Sequence, residues 1–502
     1  MVVRDQLRRK LFLLACLFAW IGGVATTSYA QYVPPGSPSW DHKLYTNSPG
    51  CEYLFVGTFR LVLPSPKQAT NMIIDKHGDL VWYHQSGNYT LNLNYHPSGV
   101  FIYSDRTKWR ILDSGFNLID SLTCVGKITD HHELQISPDG HYWLICREDR
   151  TMDVSSLHTN NGTPGSTQAQ VRMVVIQELD TAKQLLQEWN GWDHFTIYDS
   201  DTNYFTNPAL LDLTHTNSID IQGRKILVSH RHLDAITQLD WSSNTLDWQL
   251  SGKNNGFDLS GDPGFFGQHD ARYLPGGRIS LFDNGNFHHL ARGLILQVND
   301  TTMTSQVLAS YGNTVASESM GSMQLLDDNS VLINYGQLGA NATVPPVVQY
   351  APDSTTRMTL DFGTDYMTYR ARCMDIPFDL GRPRITCSQV GNTVTLGVDG
   401  VHPSYEWTTG DTSATIVLAD TGRYQVFVPK GIGMLSSPAV HVTDLANACL
   451  QVGNDPVTIG VPRPAKLIGR WDLLGRPVEG MPERQVILER WSDGTVRKVF
   501  SN

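Results

Sequence analysis

The sequence has few charged residues and, beyond its first thirty positions, no long apolar run. Charged residues make up 17% of the chain and hydrophobic residues 40%, which excludes general disorder. After residue 30 no apolar stretch reaches the roughly 18 residues of a membrane-spanning helix, so the mature chain does not cross a membrane that way. The 38 basic residues are outnumbered by 49 acidic ones. The resulting net charge of −11 excludes nucleic-acid binding through bulk positive charge.

Cysteine is scarce, and its spacing excludes one common use. None of the seven cysteines forms a Cys-x-x-Cys pair, so a zinc site built from cysteines is not expected. Six of them follow residue 30, and in an exported chain six cysteines allow about fifteen disulfide connectivities. Cys387 and Cys449 bracket one short segment, and we expect these two to pair.

The first thirty residues have the pattern of a secretory signal peptide. Four basic residues precede an apolar run over 11–25, and residues 28–30 fit a small-residue cleavage site. Removing four basic residues and one acidic residue takes the net charge from −11 to −14. We therefore expect an acidic protein that is secreted or lies at the cell surface, with no membrane span in the mature chain.

Glycine and aromatic residues are plentiful, and between residues 52 and 368 they recur in one pattern. A short strand leads into a tight turn, and an apolar strand leaves it. The turn residues are Gly99, Gly140, Gly223, Gly277 and Asn329. If the long interval between Gly140 and Gly223 holds two units, the period is near the roughly 40–50 residues of propeller blades. With no sustained helical periodicity, the pattern predicts an all-β fold with a six-bladed β-propeller over 31–372; a large β-sandwich is the alternative.

The sequence pattern changes after Arg372. Short alternating strands over 383–449, with Trp407 among them, predict a small Ig-like β-sandwich. Residues 451–502 predict a last short β unit.

Histidine is concentrated in the predicted propeller, because 15 of the 17 histidines precede residue 300. His132 (or its neighbour His131), His215 and His269 each stand at the start of a strand that leads into a turn. In a propeller such positions surround one central channel, so these side chains are expected to converge. The alternative is that each histidine caps a turn or forms a hydrogen bond within its own blade. This alternative is less well supported when three histidines occupy matching positions.

Arg231 is expected at the end of the strand that follows His215 and Asn217. An arginine fork with an asparagine suits a tetrahedral oxyanion such as sulfate or phosphate. The alternative for Arg231 is a surface ion pair with Asp234 or a neighbouring residue. Lys253 is expected to be a solvated loop residue.

An ordered set of motifs resembles the bacterial arylsulfotransferase family over roughly residues 75 to 340. The motifs are His-Thr-Asn-Ser at 215–218, Ser-His-Arg-His-Leu-Asp-Ala-Ile at 229–236, Gly-Lys-Asn-Asn at 252–255 and Gly-Gln-His-Asp-Ala-Arg at 267–272, preceded by His-Glu at 132–133 and Pro-Asp-Gly at 138–140. The resemblance implies a six-bladed propeller that moves a sulfuryl group from a phenolic sulfate ester to a phenol. It implies neither a nucleotide sulfate donor nor any cofactor or metal.

The resemblance also implies roles for individual residues. His269 matches a nucleophile that becomes transiently sulfated in a ping-pong cycle, and His132, His215, Asn217 and Arg231 match groups that line the same pocket. We expect His215 or His132 to exchange the proton with the phenol. Some relatives carry a cysteine pair in the loop before the nucleophile; residues 253–268 have no cysteine, so that loop must be held otherwise.

The end of the chain resembles the C-terminal sorting domain of type IX secretion. The resemblance covers 467–500, with turns at 472–476 and 492–495 before a basic strand. It implies passage across an outer membrane through that secretion machinery and removal of the tail, with 383–449 as an Ig-like spacer. The alternative is a terminal β-module packed on the propeller.

Two other functions fit parts of the sequence. A non-enzymatic surface propeller that binds glycans or proteins would keep the histidines for structure. A histidine-metal hydrolase or lyase has one slight indication, the His230-x-His232 pair.

Overall fold

The computed structural model describes residues 33–34, 37–46, 50–60, 69–87, 89–339, 342–363, 366–454, 467–471, 486–491 and 496–500. The expected signal peptide, residues 1–30, lies outside the described residues, as does most of the expected final unit over 451–502. The described chain is nearly all β with one short α-helix, α1 (Ala448–Asn454), which confirms the all-β class. No helix in these ranges has the length and apolar character needed to cross a membrane.

The strands up to residue 374 are numbered in chain order. They are β1 (Asp41–Leu44), β2 (Tyr53–Phe59), β3 (Thr70–Asp75), β4 (Leu80–Gln85), β5 (Leu91–His96), β6 (Val100–Ser104), β7 (Trp109–Leu112), β8 (Leu118–Leu122), β9 (Ile128–Ile136), β10 (Tyr142–Met152), β11 (Ala169–Leu179), β12 (Leu185–Asn190), β13 (Leu210–Asp212), β14 (Thr216–Gln222), β15 (Lys225–His230), β16 (Ala235–Asp240), β17 (Thr245–Leu250), β18 (His269–Leu274), β19 (Arg278–Asp283), β20 (Arg292–Asn299), β21 (Thr304–Gly312), β22 (Ser322–Leu325), β23 (Val331–Asn334), β24 (Val347–Tyr350), β25 (Thr356–Asp361) and β26 (Met367–Met374).

These strands form six sheets in the described part of the chain. Their strand orders are β26-β2-β3-β4 (sheet I), β5-β6-β7-β8 (sheet II), β9-β10-β11-β12 (sheet III), β14-β15-β16-β17 (sheet IV), β18-β19-β20-β21 (sheet V) and β22-β23-β24-β25-β1 (sheet VI). The first strand of each sheet, here called its inner strand, contacts the inner strand of the next sheet. The series closes on itself because β26 contacts both β5 and β22.

Sheet I joins the two ends of this series. Its inner strand β26 comes last in the sequence, whereas β2, β3 and β4 come near the beginning. Cys51, just before β2, forms a disulfide with Cys373 in β26. The closure therefore has both a backbone hydrogen-bond ladder and a covalent link.

All five predicted turns join the first and second strands of a sheet, as expected. Each turn residue has a positive φ, the region that glycine and asparagine tolerate best. The values are 94° at Gly99, 86° at Gly140, 63° at Gly223, 69° at Gly277 and 62° at Asn329. The expectation that two units separate Gly140 from Gly223 is wrong. Only sheet III lies there, lengthened by two eleven-residue strands and followed by 191–213.

The residue pattern of a strand depends on how deeply the strand is buried in its sheet. In β15 and β19 every residue after the first is buried, because neighbouring sheets cover both of their faces. The outermost strand β21 instead alternates between buried and exposed positions, since one face meets solvent. Local apolar runs thus mark the middle strands and alternation marks the outer ones.

The strands after residue 374 extend sheet I and add smaller sheets. They are β27 (Ile385–Val390), β28 (Thr393–Val398), β29 (Glu406–Trp407), β30 (Thr415–Val417), β31 (Gly422–Tyr424), β32 (Val426–Lys430), β33 (Gly433–Ser436), β34 (Val440–Val442), β35 (Leu467–Trp471), β36 (Val486–Trp491) and β37 (Val496–Phe500). Strand β33 pairs with β4, so sheet I continues through β33 and β32 to β29. The other sheets are β27-β28-β30, β31-β34 and the antiparallel β35-β36-β37.

The segment 383–449 is therefore joined to the outer edge of sheet I. The Tyr83 hydroxyl donates to Glu406 at 2.7 Å, and Trp82 Nε1 donates to the Lys430 carbonyl at 3.4 Å. Trp407 is fully buried in the small core of this segment, as expected. The predicted Cys387–Cys449 disulfide is confirmed.

Candidate active site

His132, His215 and His269 come together at three successive inner strands. His132 lies in β9, His215 immediately precedes β14, and His269 is the first residue of β18. The ring centroids of His132 and His215 are 5.1 Å apart. Tyr369 of β26 links the group, since its ring centroid lies 5.4 Å from that of His132 and 6.3 Å from that of His269.

His132 and His215 each hold Nδ1 against a carboxylate that precedes them closely in sequence. Nδ1 of His132 is 2.5 Å from Oδ1 of Asp130, and Nδ1 of His215 is 2.7 Å from Oδ2 of Asp212. Burial alone would raise the pKa of both carboxyl groups, but the adjacent histidines keep it below the ordinary value. An ionised carboxylate only accepts, so Nδ1 carries the proton and Nε2 is left for the substrate.

His269 has a different pair of neighbours. Its Nδ1 lies 2.7 Å from Oδ1 of Asn284, and its Nε2 accepts the backbone N–H of Met320 at 3.2 Å. The side chain is buried, and burial followed by the charge of Arg231 holds the pKa of His269 well below its usual value. The imidazole is therefore neutral near pH 7, as a nitrogen nucleophile must be.

Arg231 directly follows β15 as the first residue of a short 3-10 turn, and its guanidinium is fixed from several sides. Nη1 donates to Nε2 of His232 at 2.9 Å, while Nη2 donates to the Glu318 carbonyl at 2.9 Å and to Oδ1 of Asn286 at 3.2 Å. The guanidinium carbon lies 4.6 Å from the ring centre of Tyr204. Among the described residues, its buried Nε–H has no hydrogen-bond partner.

The loop before His269 is held by two buried carboxylates. Asp234 accepts the Gly267 N–H at 2.7 Å, and Asp283 accepts the Phe266 N–H at 2.9 Å. The next side chain, Gln268, donates to the Ala235 carbonyl at 2.7 Å. These contacts hold the loop before His269 in place of the cysteine pair found in some relatives. They also show that Asp234 serves the loop and is not the ion-pair partner of Arg231.

Asn217 bridges the backbone on either side of His269. Its Nδ2 donates to the Gln268 carbonyl at 2.7 Å, and its Oδ1 accepts the Asp270 N–H at 3.3 Å. The side chain is fully buried in this bridge. Asn217 thus lies beside the expected nucleophile and is engaged with its backbone.

Two further expected residues have clear positions. His131 stacks on His132 at 4.4 Å between ring centroids and meets Tyr89 edge-on at 5.5 Å; burial lowers its pKa to about 3. His132, and not His131, makes the ring contacts with His215 and Tyr369. Lys253 donates to the backbone carbonyls of residues 198 and 200 at 2.9 Å and 2.6 Å.

A buried charge network occupies the same inner strands just beyond the histidines. Arg272 and Arg370 donate to Glu133 at 2.5 Å and 2.9 Å, and Arg372 donates to Asp270 at 2.6 Å. Burial would raise the pKa of Asp270, but the three arginines hold it low. Because an unpaired buried carboxylate is costly, the network ties β9, β18 and β26 together.

Several residues of the site were not singled out from the sequence: Asp130, Asp212, Asn284 and Tyr369. Asp130 and Asp212 could have been found, because an aspartate two or three residues before a histidine can reach its Nδ1. Asn284 lies 15 positions after His269 and reaches it through the pairing of β18 with β19, whereas Tyr369 lies 100 positions after His269 and only the closed series of sheets brings it near.

Solved structures resemble the chain only distantly. A protein of unknown function from Bacteroides caccae has 11% identity and a TM-score of 0.41, covering 64% of this chain and 98% of that one. Hydrazine synthase from Kuenenia stuttgartiensis has 12% identity and a TM-score of 0.31, covering 62% and 80%. Neither likeness is close enough to carry an argument about fold or function. No curated protein matches the sequence.

A family model gives a firmer result. The model for arylsulfotransferase (ASST) matches residues 102–363, just over half of the 502 residues. The matched range contains His132, His215, Asn217, Arg231 and His269. The chain therefore belongs to the arylsulfotransferase family.

Proposed function

We propose that the protein is an exported aryl-sulfate sulfotransferase that moves a sulfuryl group from a phenolic sulfate ester to a phenol through a sulfated His269, without a nucleotide sulfate donor. The observation that carries the proposal is the unpartnered, buried Nε–H of Arg231 beside histidines whose Nδ1 atoms are already engaged. Leaving a buried donor unsatisfied costs about 1–3 kcal/mol. A sulfuryl oxygen that accepts this N–H removes that cost.

In the first half-reaction the Met320 N–H releases Nε2 of His269, and the lone pair freed on that nitrogen attacks sulfur. The N–S bond forms as the bond between sulfur and the aryl oxygen breaks, and the electron pair leaves with the phenolate. A proton from Nε2 of His215 or His132 converts the phenolate to phenol. Burial lowers the pKa of His215, but the charge of Asp212 and the negative charge of the bound ester both favour the imidazolium form that this step needs there.

In the second half-reaction the acceptor phenol takes the place of the departed one. The same histidine removes the phenol proton as the phenol oxygen attacks sulfur. The N–S bond breaks, and its electron pair returns to Nε2 of His269. Two products leave in turn, which defines a ping-pong cycle.

Arg231 and Asn217 support this chemistry in different ways. In sulfuryl transfer, as in phosphoryl transfer, charge spreads over the equatorial oxygens, and a fixed guanidinium stabilises it. The contacts that hold Arg231 to Glu318 and Asn286 place its charge before substrate arrives. Asn217 is assigned a positioning role, because its amide bonds the backbone on both sides of His269.

We also infer a domain organisation from the same evidence. The closed series of inner strands and the Cys51–Cys373 disulfide support a six-bladed propeller over 31–372. An Ig-like module over 383–449 is supported by the buried Trp407 and the Cys387–Cys449 disulfide. The signal pattern over 1–30 and the type IX sorting pattern over 451–502 support export by that machinery to the surface or the medium.

An acceptor-dependence assay tests the proposed activity. The purified chain is given 4-nitrophenyl sulfate with and without phenol, each in the presence and absence of chelator. Nitrophenol release that needs the phenol and survives chelation supports sulfuryl transfer. Release without acceptor indicates a hydrolase, and no release supports the alternative of a non-enzymatic surface protein that binds glycans or proteins.

A trapping experiment tests the intermediate. The chain is incubated with an aryl sulfate labelled in its sulfur and no acceptor, then digested and mapped. We expect the label on His269 and no label on a His269→Ala variant that keeps its thermal stability. A label on another residue would contradict the proposed nucleophile.

A metal-dependent hydrolase is the second candidate, on one specific observation. In the described chain two groups have ligand atoms within 4.8 Å of one another: Asp130 with His131 and His132, and Asp212 with His215 and His232. In each group an imidazole N–H already donates to the carboxylate, which uses the atoms that a metal would need. The chelator arm of the assay distinguishes the two candidates.

A further inference from the structure

The side-chain amide of Asn284 can have only one orientation. Its Nδ2 lies 2.8 Å from Oγ of Ser317 and 2.9 Å from the Met320 carbonyl. The Ser317 hydroxyl hydrogen is directed to the Tyr335 carbonyl at 2.7 Å, so Oγ of Ser317 accepts from Asn284. Nδ2 is thus the donor end of the amide, and the oxygen faces His269.

This orientation determines the tautomer of His269. A carbonyl oxygen only accepts, so Nδ1 of His269, 2.7 Å away, must carry a proton. Nε2 accepts the Met320 N–H, which requires a lone pair on that nitrogen. Both ring contacts agree on a neutral imidazole with its proton on Nδ1 and its lone pair on Nε2.

The partner of His269 differs in charge from the partners of the other two histidines. Asp130 and Asp212 are carboxylates, so Nδ1 of His132 and Nδ1 of His215 each donate to a negatively charged group. Asn284 accepts the same kind of hydrogen bond without contributing a negative charge. His269 is thereby left neutral, whereas each of the other two histidines donates to a carboxylate.

We propose that Asn284 is a positioning residue that holds His269 as the neutral Nδ1–H tautomer, and that the site requires an uncharged acceptor there. The proposal rests on the proposed function in taking His269 as the nucleophile. A carboxylate at position 284 would stabilise the imidazolium and withdraw the lone pair that attacks sulfur. After transfer, Nε2 bears the sulfuryl group and the positive ring keeps its Nδ1 proton, for which the Asn284 oxygen is still an acceptor.

The test is the pH dependence of kcat/KM for Asn284→Asp against the unsubstituted chain. We expect the acidic limb to move to higher pH by about one unit or more, so that kcat/KM on that limb falls by about tenfold or more. Activity should return to within about threefold by pH 9. A loss of the same size at every pH, or no shift, would overturn the proposal, because a merely structural role predicts no change in the shape of the profile.

A second measurement needs no activity. Nitrogen-15 NMR of the folded, histidine-labelled chain, with His269 assigned by its absence in His269→Gln, reports the protonated ring nitrogen directly. We expect a neutral ring protonated on Nδ1 at pH 7; a proton on Nε2, or a charged ring, would refute the inference. If the unsubstituted chain transfers no sulfuryl group, the proposed function fails, and the NMR result still decides the role of Asn284.

Discussion

Nδ1 of His215 lies 2.7 Å from Oδ2 of Asp212, and the same aspartate also accepts the backbone N–H of His215 at 3.2 Å. Both the ring and the backbone of the histidine are thus fixed by one carboxylate. Burial lowers the pKa of His215, and the charge of Asp212 opposes that effect. The proton on His215 is therefore sensitive to the carboxylate beside it.

Replacing Asp212 with asparagine should therefore impair proton donation to the leaving phenolate. We expect kcat/KM for phenyl sulfate to fall by about 10²-fold or more, the usual range for general acid catalysis. The loss should be smaller for 4-nitrophenyl sulfate, whose phenol is more acidic and leaves without help. Equal losses for the two donors would contradict this assignment, and Asp130→Asn, measured alongside, identifies which histidine donates the proton.

Replacing Arg231 with lysine should reduce kcat while leaving the fold intact. Lysine keeps the positive charge but lacks the planar fork that donates to Glu318 and Asn286 and offers Nε–H to the sulfuryl group. Removing one such donor costs about 10²–10³-fold in kcat. The matched control is Lys253→Gln, which should change kcat little, and a comparable loss in that control would show the effect to be non-specific.

The pH profile of the unsubstituted chain should extend into acid. Burial and Arg231 hold the pKa of His269 well below the ordinary 6.5, so its Nε2 keeps a lone pair below that pH. We expect the acidic limb of kcat/KM to have its midpoint below 6.5, measured at constant ionic strength with 4-nitrophenyl sulfate in excess phenol. A midpoint above 6.5 would mean that the nucleophile is not held neutral as described.

Stability should depend on pH through Asp234. Burial raises the pKa of this carboxyl from 3.8 to about 7, so between these values the folded chain binds more protons than the unfolded chain. Its contribution is present at low pH and is lost as pH rises from about 4 to 7, by on the order of 4 kcal/mol at most. Asparagine can still accept the Gly267 N–H and tolerates the φ of 48° at this position.

We therefore expect Asp234→Asn to flatten the fall in Tm between pH 5 and pH 8. Melting temperatures of both proteins in matched buffers provide the measurement. Parallel curves for the two proteins would show that Asp234 does not titrate in this range.

The sequence allowed the repeat and the histidines to be predicted because both depend on local pattern. A tight turn such as the one at Gly140 can be recognised from the residues directly before and after it. His132, His215 and His269 share one position relative to these turns. The Asp234 and Asp283 contacts with the loop before His269 could not be predicted, because each depends on which backbone N–H the fold presents to the carboxylate. The number of units between Gly140 and Gly223 could not be predicted for a related reason. Strand length and inserted loops vary from one unit to the next, so the spacing of turns does not count the units.

The extension of sheet I by β33 has a consequence for the order in which the molecule can be built. Strands β2, β3 and β4 are near the start of the chain, yet the strands that flank them, β26 and β33, end only at Met374 and Ser436. A chain made from its N-terminus must hold both edges of this three-stranded piece open until almost all the rest has emerged. Sheet II, whose strands are consecutive, can be complete long before sheet I. Completion of sheet I, which closes the series of sheets, is then a late step. Until it occurs, the unpaired edges of the three-stranded piece are where misassembly would begin.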